Sequence, residues 1–268
     1  NLELAALGVE IHKMNNGIIR VQDTPQMRRR LYSIFDQVPA LEGVQPPTFM
    51  QMPNLQVFAW RKNGLYAAIK GGCNNESHNH NDVGTFIVYA DGEPSVVDMG
   101  NMLYTAKTFG SERYTLANTR SMNHNLPLIG DVEQEEGAQY RAQVIHADET
   151  GAKLELAGAY PQKAKAKTIR RAFSLEDDGA KLHDCIELNE AQEVTWVFML
   201  RQPPVCETGK VTFGGMALHH DPVLEQSVTE MPTTDVRLMK NFPGSLWRLA
   251  LKAKADTSFD QHFVIARS

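Results

Sequence analysis

Residues 76–84, ESHNHNDVG, hold two histidines, two asparagines and an aspartate directly before an apolar run. His78 and His80 are spaced i, i+2, so in extended backbone both imidazoles face the same side of the chain. Such a pair offers two nitrogens to one cation, although structural and surface loops also use this spacing. The stretch therefore predicts either a polar loop or the beginning of a metal site.

A metal site needs further ligands, and the sequence offers two downstream. Asp98 ends the apolar run SVVDMG, where a carboxylate is costly unless paired or coordinated, and His124 stands in MNHN. Two histidines and a carboxylate suit Zn²⁺, while iron and manganese stay possible. The spacing does not require Asp98 to meet the histidines, because a tight turn at 91–93 places Asp98 opposite about Phe86 and not opposite His80. The loop 76–83 must therefore fold back over the strand end.

The elements that must position these residues are mostly strands. From about residue 48 apolar residues alternate, and the turn signals Asn63-Gly64, Asp91-Gly92 and Asp178-Gly179 separate strand-like runs. Roughly a dozen such runs with few helices predict a mainly β fold. We expect a large antiparallel β-sandwich with a short N-terminal helical segment.

Two parts of the chain depart from the strand pattern. Residues 1–42 read as a helical or irregular lead-in, with Thr24 and Pro25 marking a helix start, and residues 43–268 as the sandwich domain. Residues 100–137 are polar and poor in alternation. A long irregular insertion in a rigid sandwich is usually functional, and His124 lies in this one.

The bulk composition limits the classes of binding partner that we expect. The formal net charge is -5 and the pI about 6.0, which argues against a nucleic-acid binder. No apolar run reaches membrane-spanning length, so no membrane partner is expected. Three widely spaced cysteines form neither a disulfide framework nor a CxxC metal motif. Because the chain opens on Asn1, we expect a mature or partial chain, so the missing signal peptide says nothing about localisation; a bacterial protein of the periplasm or cytoplasm is expected.

Several motifs together resemble one known family. The segments GGCNNESHNHNDVGTFIVYADGEPSVVDMG, FGSERY and RSMNHN, within residues 55–137, are similar to the C-terminal domain of heparinase II/III-like polysaccharide lyases. The resemblance implies that His80, Asp98 and His124 bind one zinc ion with a mainly structural role. It also implies that His78 is catalytic or faces a substrate carboxylate.

The same resemblance implies β-elimination on an acidic polysaccharide or oligosaccharide that contains uronate. Such a reaction neutralises the uronate carboxylate, removes the C5 proton and protonates the departing O4. His78, as base or carboxylate partner, and Tyr114, as base or acid, are the predicted catalytic residues. Tyr114 matches a catalytic tyrosine of oligoalginate-type relatives, with one residue inserted, and Tyr104 is its local rival. Substrate-binding candidates are nearby amides and guanidinium groups, namely Asn79, Asn81, Arg113 and Arg120.

Family members carry a helical toroid domain ahead of the sandwich, and the cleft lies between the two. At most 42 residues here read as helical, so we expect the toroid to be a partner domain and this chain to hold only part of the active site. Two other functions stay open, a cupin-like metal-dependent oxygenase or isomerase and a non-catalytic glycan-binding sandwich. Asp82 reads as a turn cap, and His183 and His262 read as structural histidines in strands.

Overall fold

The computed structural model describes residues 47–268. The predicted helical lead-in, with Thr24 and Pro25, lies outside the described residues, so it stays a prediction, as does the domain boundary after residue 42. Within the described part, none of the helices is long and apolar enough to cross a bilayer.

The described residues are mostly strands. They are β1 Phe49–Met52, β2 Val57–Lys62, β3 Leu65–Lys70, β4 Cys73–Asn74, β5 Phe86–Ala90, β6 Glu93–Val96, β7 Pro127–Ile129, β8 Gly137–Arg141, β9 Gln143–Asp148, β10 Gly151–Glu155, β11 Ala166–Leu175, β12 Gly179–Leu200, β13 Val205–Glu207, β14 Lys210–Phe213, β15 Met216–His219, β16 Glu225–Pro232 and β17 Ser245–Arg267. The α-helix α1 is Val236–Asn241, and short 3₁₀ helices are Pro53–Leu55, Ala106–Phe109, Arg113–Thr115, Ala117–Thr119, Ser121–Asn123, Ala157–Ala159 and Gln162–Ala164.

The three predicted hairpins are present, with two kinds of turn. Asn63-Gly64 joins β2 to β3 and Asp91-Gly92 joins β5 to β6, each with both residues at positive φ, as in a type I′ turn. The third hairpin, between β11 and β12, closes instead through a hydrogen bond from Glu176 N to Gly179 O. A Cβ on Gly179 would lie 2.3 Å from the carbonyl oxygen of Ile265, so close strand approach explains this glycine.

Two long strands organise the sheets. β12 pairs antiparallel with β17 over most of its length, and the register shifts between Glu187 and Val194. Before the shift, β11, β10 and β9 extend the sheet beside β12, and β15, β14 and β13 extend it beside β17. Beyond the shift, β12 meets β7 and the end of β6, which leads to β5, β3, β2 and β1, while β16 lies beside β17. β4 and β8 form a small separate sheet.

Buried aromatic rings join the two layers of strands. The centroids of Phe86, on β5, and Phe173, on β11, are 4.9 Å apart, and Trp60, on β2, lies 6.1 Å from Phe173. All three rings are buried, and burial of such rings is the main source of stability in a core. The predicted mainly β, sandwich-like fold is confirmed. The sheet does not close into a barrel, so the cupin-like alternative lacks its scaffold.

Candidate functional site

His78 and His80 do not share the face that extended backbone would give them. The chain turns after β4, and His78 adopts a left-handed conformation with φ of 60°. His78 is exposed, whereas His80 is partly buried. The extended backbone that the prediction of a shared face assumes is therefore absent at His78, although both side chains line one small cleft.

His124 and Asp98 are in direct contact. His124 is fully buried, and its Nδ1 lies 2.7 Å from Asp98 Oδ2. Its Nε2 lies 3.1 Å from the carbonyl oxygen of Asn118, which can accept a hydrogen bond from that nitrogen. Asp98 also accepts from the Gly100 amide at 3.0 Å and the Thr85 hydroxyl at 3.3 Å. A ligating histidine normally donates its other ring N–H to such a carbonyl, so Nδ1 is the nitrogen suited to a metal.

His80 completes the group of predicted ligands. Its ring centroid lies 5.5 Å from that of His124, and its Nε2 is 3.3 Å from the side-chain nitrogen of Asn118. Asn118 Oδ1 is buried and has no hydrogen-bond partner among the residues described. His80, Asp98 and His124 thus lie in one polar cluster, and metal binding by this cluster stays a prediction.

A second carboxylate, Asp82, lies in the same cluster. Donor atoms of His80, Asp82 and His124 all lie within 4.8 Å of one another, in a grouping that does not include Asp98. Asp82 is nevertheless paired with Lys70, whose Nζ lies 2.7 Å from Oδ1. An ammonium group at that oxygen repels a second cation, so we favour Asp98 as the carboxylate ligand. The side chain of Asp82 forms this ion pair instead of the predicted turn cap.

The charges of the cluster influence one another. Burial lowers the pKa of His80, and the charge of His124 adds to this effect. Burial also acts to lower the pKa of His124, but the Asp98 carboxylate outweighs it and raises that pKa. Burial would raise the pKa of Asp98, yet the charge and hydrogen bond of His124 hold it well below its usual range. These effects favour the neutral imidazole of His80, which is the form that binds a metal, and the ionised carboxylate of Asp98.

On the solvent side of the loop, His78 joins an aromatic cluster. Its ring stacks on Tyr104, with centroids 5.8 Å apart and an interplanar angle of 10°, and Phe109 meets both rings edge-on. Arg237, on α1, lies 4.8 Å from the Tyr104 ring centroid. All three rings are exposed. An exposed aromatic cluster thus lies beside an imidazole, a group of the kind that serves in general acid–base catalysis.

Tyr114 and Arg113 hold the same loop from the insertion. The Tyr114 hydroxyl donates to Asn79 Oδ1 at 3.2 Å. Arg113 donates to the carbonyl oxygens of Asn79 and Thr108, each at 2.6 Å, and lines a small cleft together with His78. Tyr114 thus reaches the residue next to His78, whereas its rival Tyr104 contacts His78 itself.

Two predicted substrate ligands have structural partners. Asn81 is 4% exposed, and its side-chain nitrogen donates to the carbonyl oxygen of Gln134 at 3.2 Å. Arg120 forms an ion pair with Glu133, with Nε 3.1 Å from Oε1. Both residues brace the loop and the insertion in this structure, and their role as glycan ligands stays a prediction.

Comparisons with known proteins identify the family and the fold of this chain. The sequence model of the family described as heparinase II/III-like, C-terminal, matches residues 44–257. The chain belongs to this family. No curated protein matches it in sequence. Two similar solved structures are a heparinase III with methylated lysines and the heparan sulfate lyase HepC from Pedobacter heparinus.

The structural likeness to these two proteins concerns the fold alone. The TM-scores are 0.67 for the heparinase III and 0.65 for HepC, each at 13% sequence identity and covering 91% of this chain. The match covers 40% of the heparinase III chain and 42% of HepC. This heparinase II/III-like domain therefore spans less than half the length of the proteins that it matches.

Two buried polar residues that sequence reasoning missed lie next to the candidate metal ligands and bond the segments that carry them. Asn125 follows His124, donates to the carbonyl oxygens of Phe86 and Val97 at 2.6 and 2.9 Å, and accepts from the Met199 amide. Its place in MNHN, directly after a candidate ligand, was an available signal.

Arg171 is the second missed residue. It donates to the carbonyl oxygens of Gly84 and Asn125 at 2.8 and 2.7 Å, and it pairs with Asp184. Arg171 belongs to the basic run 163–173, but the alternation of β11 turns its side chain into the core.

Proposed function

We propose that this chain is the metal-binding β-sandwich domain of a polysaccharide lyase that cleaves uronate glycans by β-elimination. The observation that carries the proposal is the joining of His80, Asp98 and His124 in one polar cluster next to a loop that exposes His78. Family membership supports it, as does the fold shared with proteins named heparinase III and heparan sulfate lyase. Heparan sulfate is therefore the first substrate to test.

Zinc is the cation that this donor set fits best, since two imidazoles and one carboxylate leave an open fourth position. His80, Asp98 and His124 would hold it. When bound, the ion supplies a fixed positive charge that ties the loop, the strand end after β6 and the insertion together. Its role is mainly structural, and it keeps His78 in place two residues from a ligand. Elemental analysis that finds iron instead of zinc would contradict this assignment.

The residues around His78 perform the chemistry. Elimination breaks the C5–H and C4–O4 bonds, so a base takes the C5 proton and an acid protonates O4. His78 serves as the base or as the partner of the uronate carboxylate, and Tyr114 serves as base or acid. The Arg113 guanidinium, with the Asn79 amide beside it, offsets the charge that develops next to the carboxylate.

We infer that this domain supplies only part of the cleft. It spans less than half of the lyase-named chains that share its fold. A helical toroid domain would provide the facing wall, against which the exposed rings of Tyr104 and Phe109 would lie.

The test is the absorbance of the 4,5-unsaturated product on heparan sulfate, an unsulfated uronate glycan and alginate. The chain alone should bind zinc with little or no turnover, and the chain joined to its helical domain should turn over readily. In that longer protein, His78→Ala and Tyr114→Phe should each reduce turnover at least a hundredfold, whereas Tyr104→Phe, the matched control, should retain most of it.

Two outcomes would contradict the proposal. Robust turnover by the isolated chain would refute the partial site. Lyase activity that survives both His78→Ala and Tyr114→Phe would leave a non-catalytic glycan-binding sandwich as the function of this domain.

A further inference from the structure

Four side chains with metal-binding donors meet on the solvent-facing side of β12 and β17. The strand register places His183 opposite His262 and Cys185 opposite Asp260. Residues two apart on a strand share a face, so the two cross-strand pairs are neighbours. The intervening Asp184 is buried on the other face. None of the four belongs to the cluster around His124.

Donor atoms of His183, Cys185 and Asp260 all lie within 4.8 Å of one another, and His262 borders this group through Asp260. His183 Nε2 lies 3.1 Å from Cys185 Sγ and 2.5 Å from Asp260 Oδ1. The same Asp260 oxygen lies 3.5 Å from His262 Nε2 and 3.9 Å from Cys185 Sγ. The two imidazole rings stack with centroids 3.8 Å apart and an interplanar angle of 13°.

These spacings are close to those of ligands on one ion. Two donor atoms bound at about 2.0–2.3 Å to a tetrahedral metal lie about 3.3–3.8 Å apart. Three of the four measured distances, from 3.1 to 3.9 Å, lie near that range. The 2.5 Å contact is a hydrogen bond between His183 and Asp260 that a bound ion would replace. Small side-chain rotations are therefore sufficient, since the backbone register already aligns the donors.

A surface hydrogen-bonded pair is the simpler explanation for His183 and Asp260. Such a pair requires neither a thiol in contact with the imidazole nor a second imidazole stacked upon it. These two further side chains, Cys185 and His262, carry donors that zinc binds.

We propose that His183, Cys185, Asp260 and His262 form a second metal site, which binds one divalent transition-metal ion of the Zn²⁺ class. A thiolate, two imidazoles and a carboxylate are the donors that zinc prefers. The site replaces the expectation that His183 and His262 are merely structural histidines. Cys185 lies two residues before the register shift that begins at Glu187, so the ion would clamp β12 to β17 where their regular pairing ends.

Cobalt(II) titration tests the site, because Co²⁺ substitutes for zinc and a thiolate ligand gives it a charge-transfer absorption band. The whole chain is reduced, stripped with a chelator and titrated with Co²⁺. Sulfur is not among the ligands assigned around His124, so the band reports on the second site alone. We expect a band that saturates by two equivalents of Co²⁺, since the site around His124 also takes up the ion, and that disappears when Zn²⁺ is added.

Cysteine variants provide the controls. Cys185→Ser should abolish the band, whereas Cys206→Ser, which removes the exposed cysteine of β13, and Cys73→Ser should keep it. Asp260→Asn and His262→Ala should each weaken Co²⁺ binding at this site at least tenfold, with far-UV circular dichroism unchanged. No band in the parent chain, or a band that persists in Cys185→Ser, would overturn the proposal. Unchanged affinity in His262→Ala would remove that residue from the ligand set.

Discussion

Arg171→Met tests whether the buried ion pair of the core holds the candidate site in place. Arg171 and Asp184 are 1% and 0% exposed, and they meet through two hydrogen bonds of 2.9 and 2.7 Å. Arg171 also donates to the carbonyl oxygens of Gly84 and Asn125. Gly84 ends the loop 76–84, and Asn125 follows the candidate ligand His124. Methionine keeps much of the length of the side chain and none of its donors.

The magnitude follows from what the substitution leaves behind. Asp184 keeps the indole N–H of Trp196, 2.9 Å from Oδ2, but it loses its cation. Removing one partner of a buried ion pair costs about 3–5 kcal/mol, and two carbonyl oxygens also lose a donor at about 1 kcal/mol each. Because these effects overlap, we expect the free energy of unfolding to fall by about 4–5 kcal/mol. That is close to the whole stability of a marginal domain.

Urea unfolding followed by tryptophan fluorescence measures this loss. Arg170→Met is the matched control, because Arg170 is the neighbouring residue on the exposed face and lies 3.8 Å from Glu155. The control should cost less than about 1 kcal/mol. Adding Asp184→Leu to Arg171→Met should recover part of the loss, because the unpaired charge is gone. Equal losses of unfolding free energy in Arg171→Met and Arg170→Met would refute the reasoning.

Three further predictions address the ligands, a cap and a strand. In calorimetric titration, Asp98→Asn should weaken zinc binding at least tenfold. Asp82→Asn should have a smaller effect, because the Asp82 carboxylate is already paired with the Lys70 ammonium group. The reverse order would make Asp82 the ligand. Asp235 caps α1 and accepts from the Leu103 amide, so Asp235→Ala should cost about 1 kcal/mol and speed hydrogen exchange at Leu103. Burial opposes the shift, but backbone donors hold the pKa of Asp235 below its usual range, so this stabilisation is present above the unfolded pKa of about 3.9 and is lost as pH falls through the folded value. An Asp235→Ala effect that is constant down to pH 2 would contradict this. Gly179→Ala should cost about 2 kcal/mol, because its Cβ would meet a β17 carbonyl oxygen, and an unchanged melting temperature would argue against it.

Much of the sheet follows from short-range signals in the sequence. Asn63-Gly64 and Asp91-Gly92 adopt positive φ at low cost, so each determines both the turn and the register of its two strands. The irregular character of residues 100–137 also follows, because that stretch lacks the alternation that a strand requires. Its short 3₁₀ helices could not be placed from sequence, since no periodicity is sustained over three or four residues.

The candidate site was less predictable, because it depends on backbone conformation and on distant pairings. The i, i+2 spacing of His78 and His80 implies a shared face only in an extended chain, and one left-handed residue removes that condition. The convergence of Asp98 with His124 requires the insertion to pack against the end of β6. That packing is supported by Asn125, whose side chain forms hydrogen bonds with the backbone of Phe86, Val97 and Met199.

The second proposed metal site also depends on residues that are distant in the sequence, so it could not be predicted from sequence. Cys185 and Asp260 are separated by 75 residues, and each looks unremarkable in its own strand. They become neighbours only through the register of β12 with β17, which is the longest pairing in the described structure. A shift of that register by one residue would place Asp260 and His262 on the buried face, away from His183 and Cys185. The chain therefore places one candidate cluster in loops held by buried polar contacts, and the other directly on the strand pair that organises the sandwich.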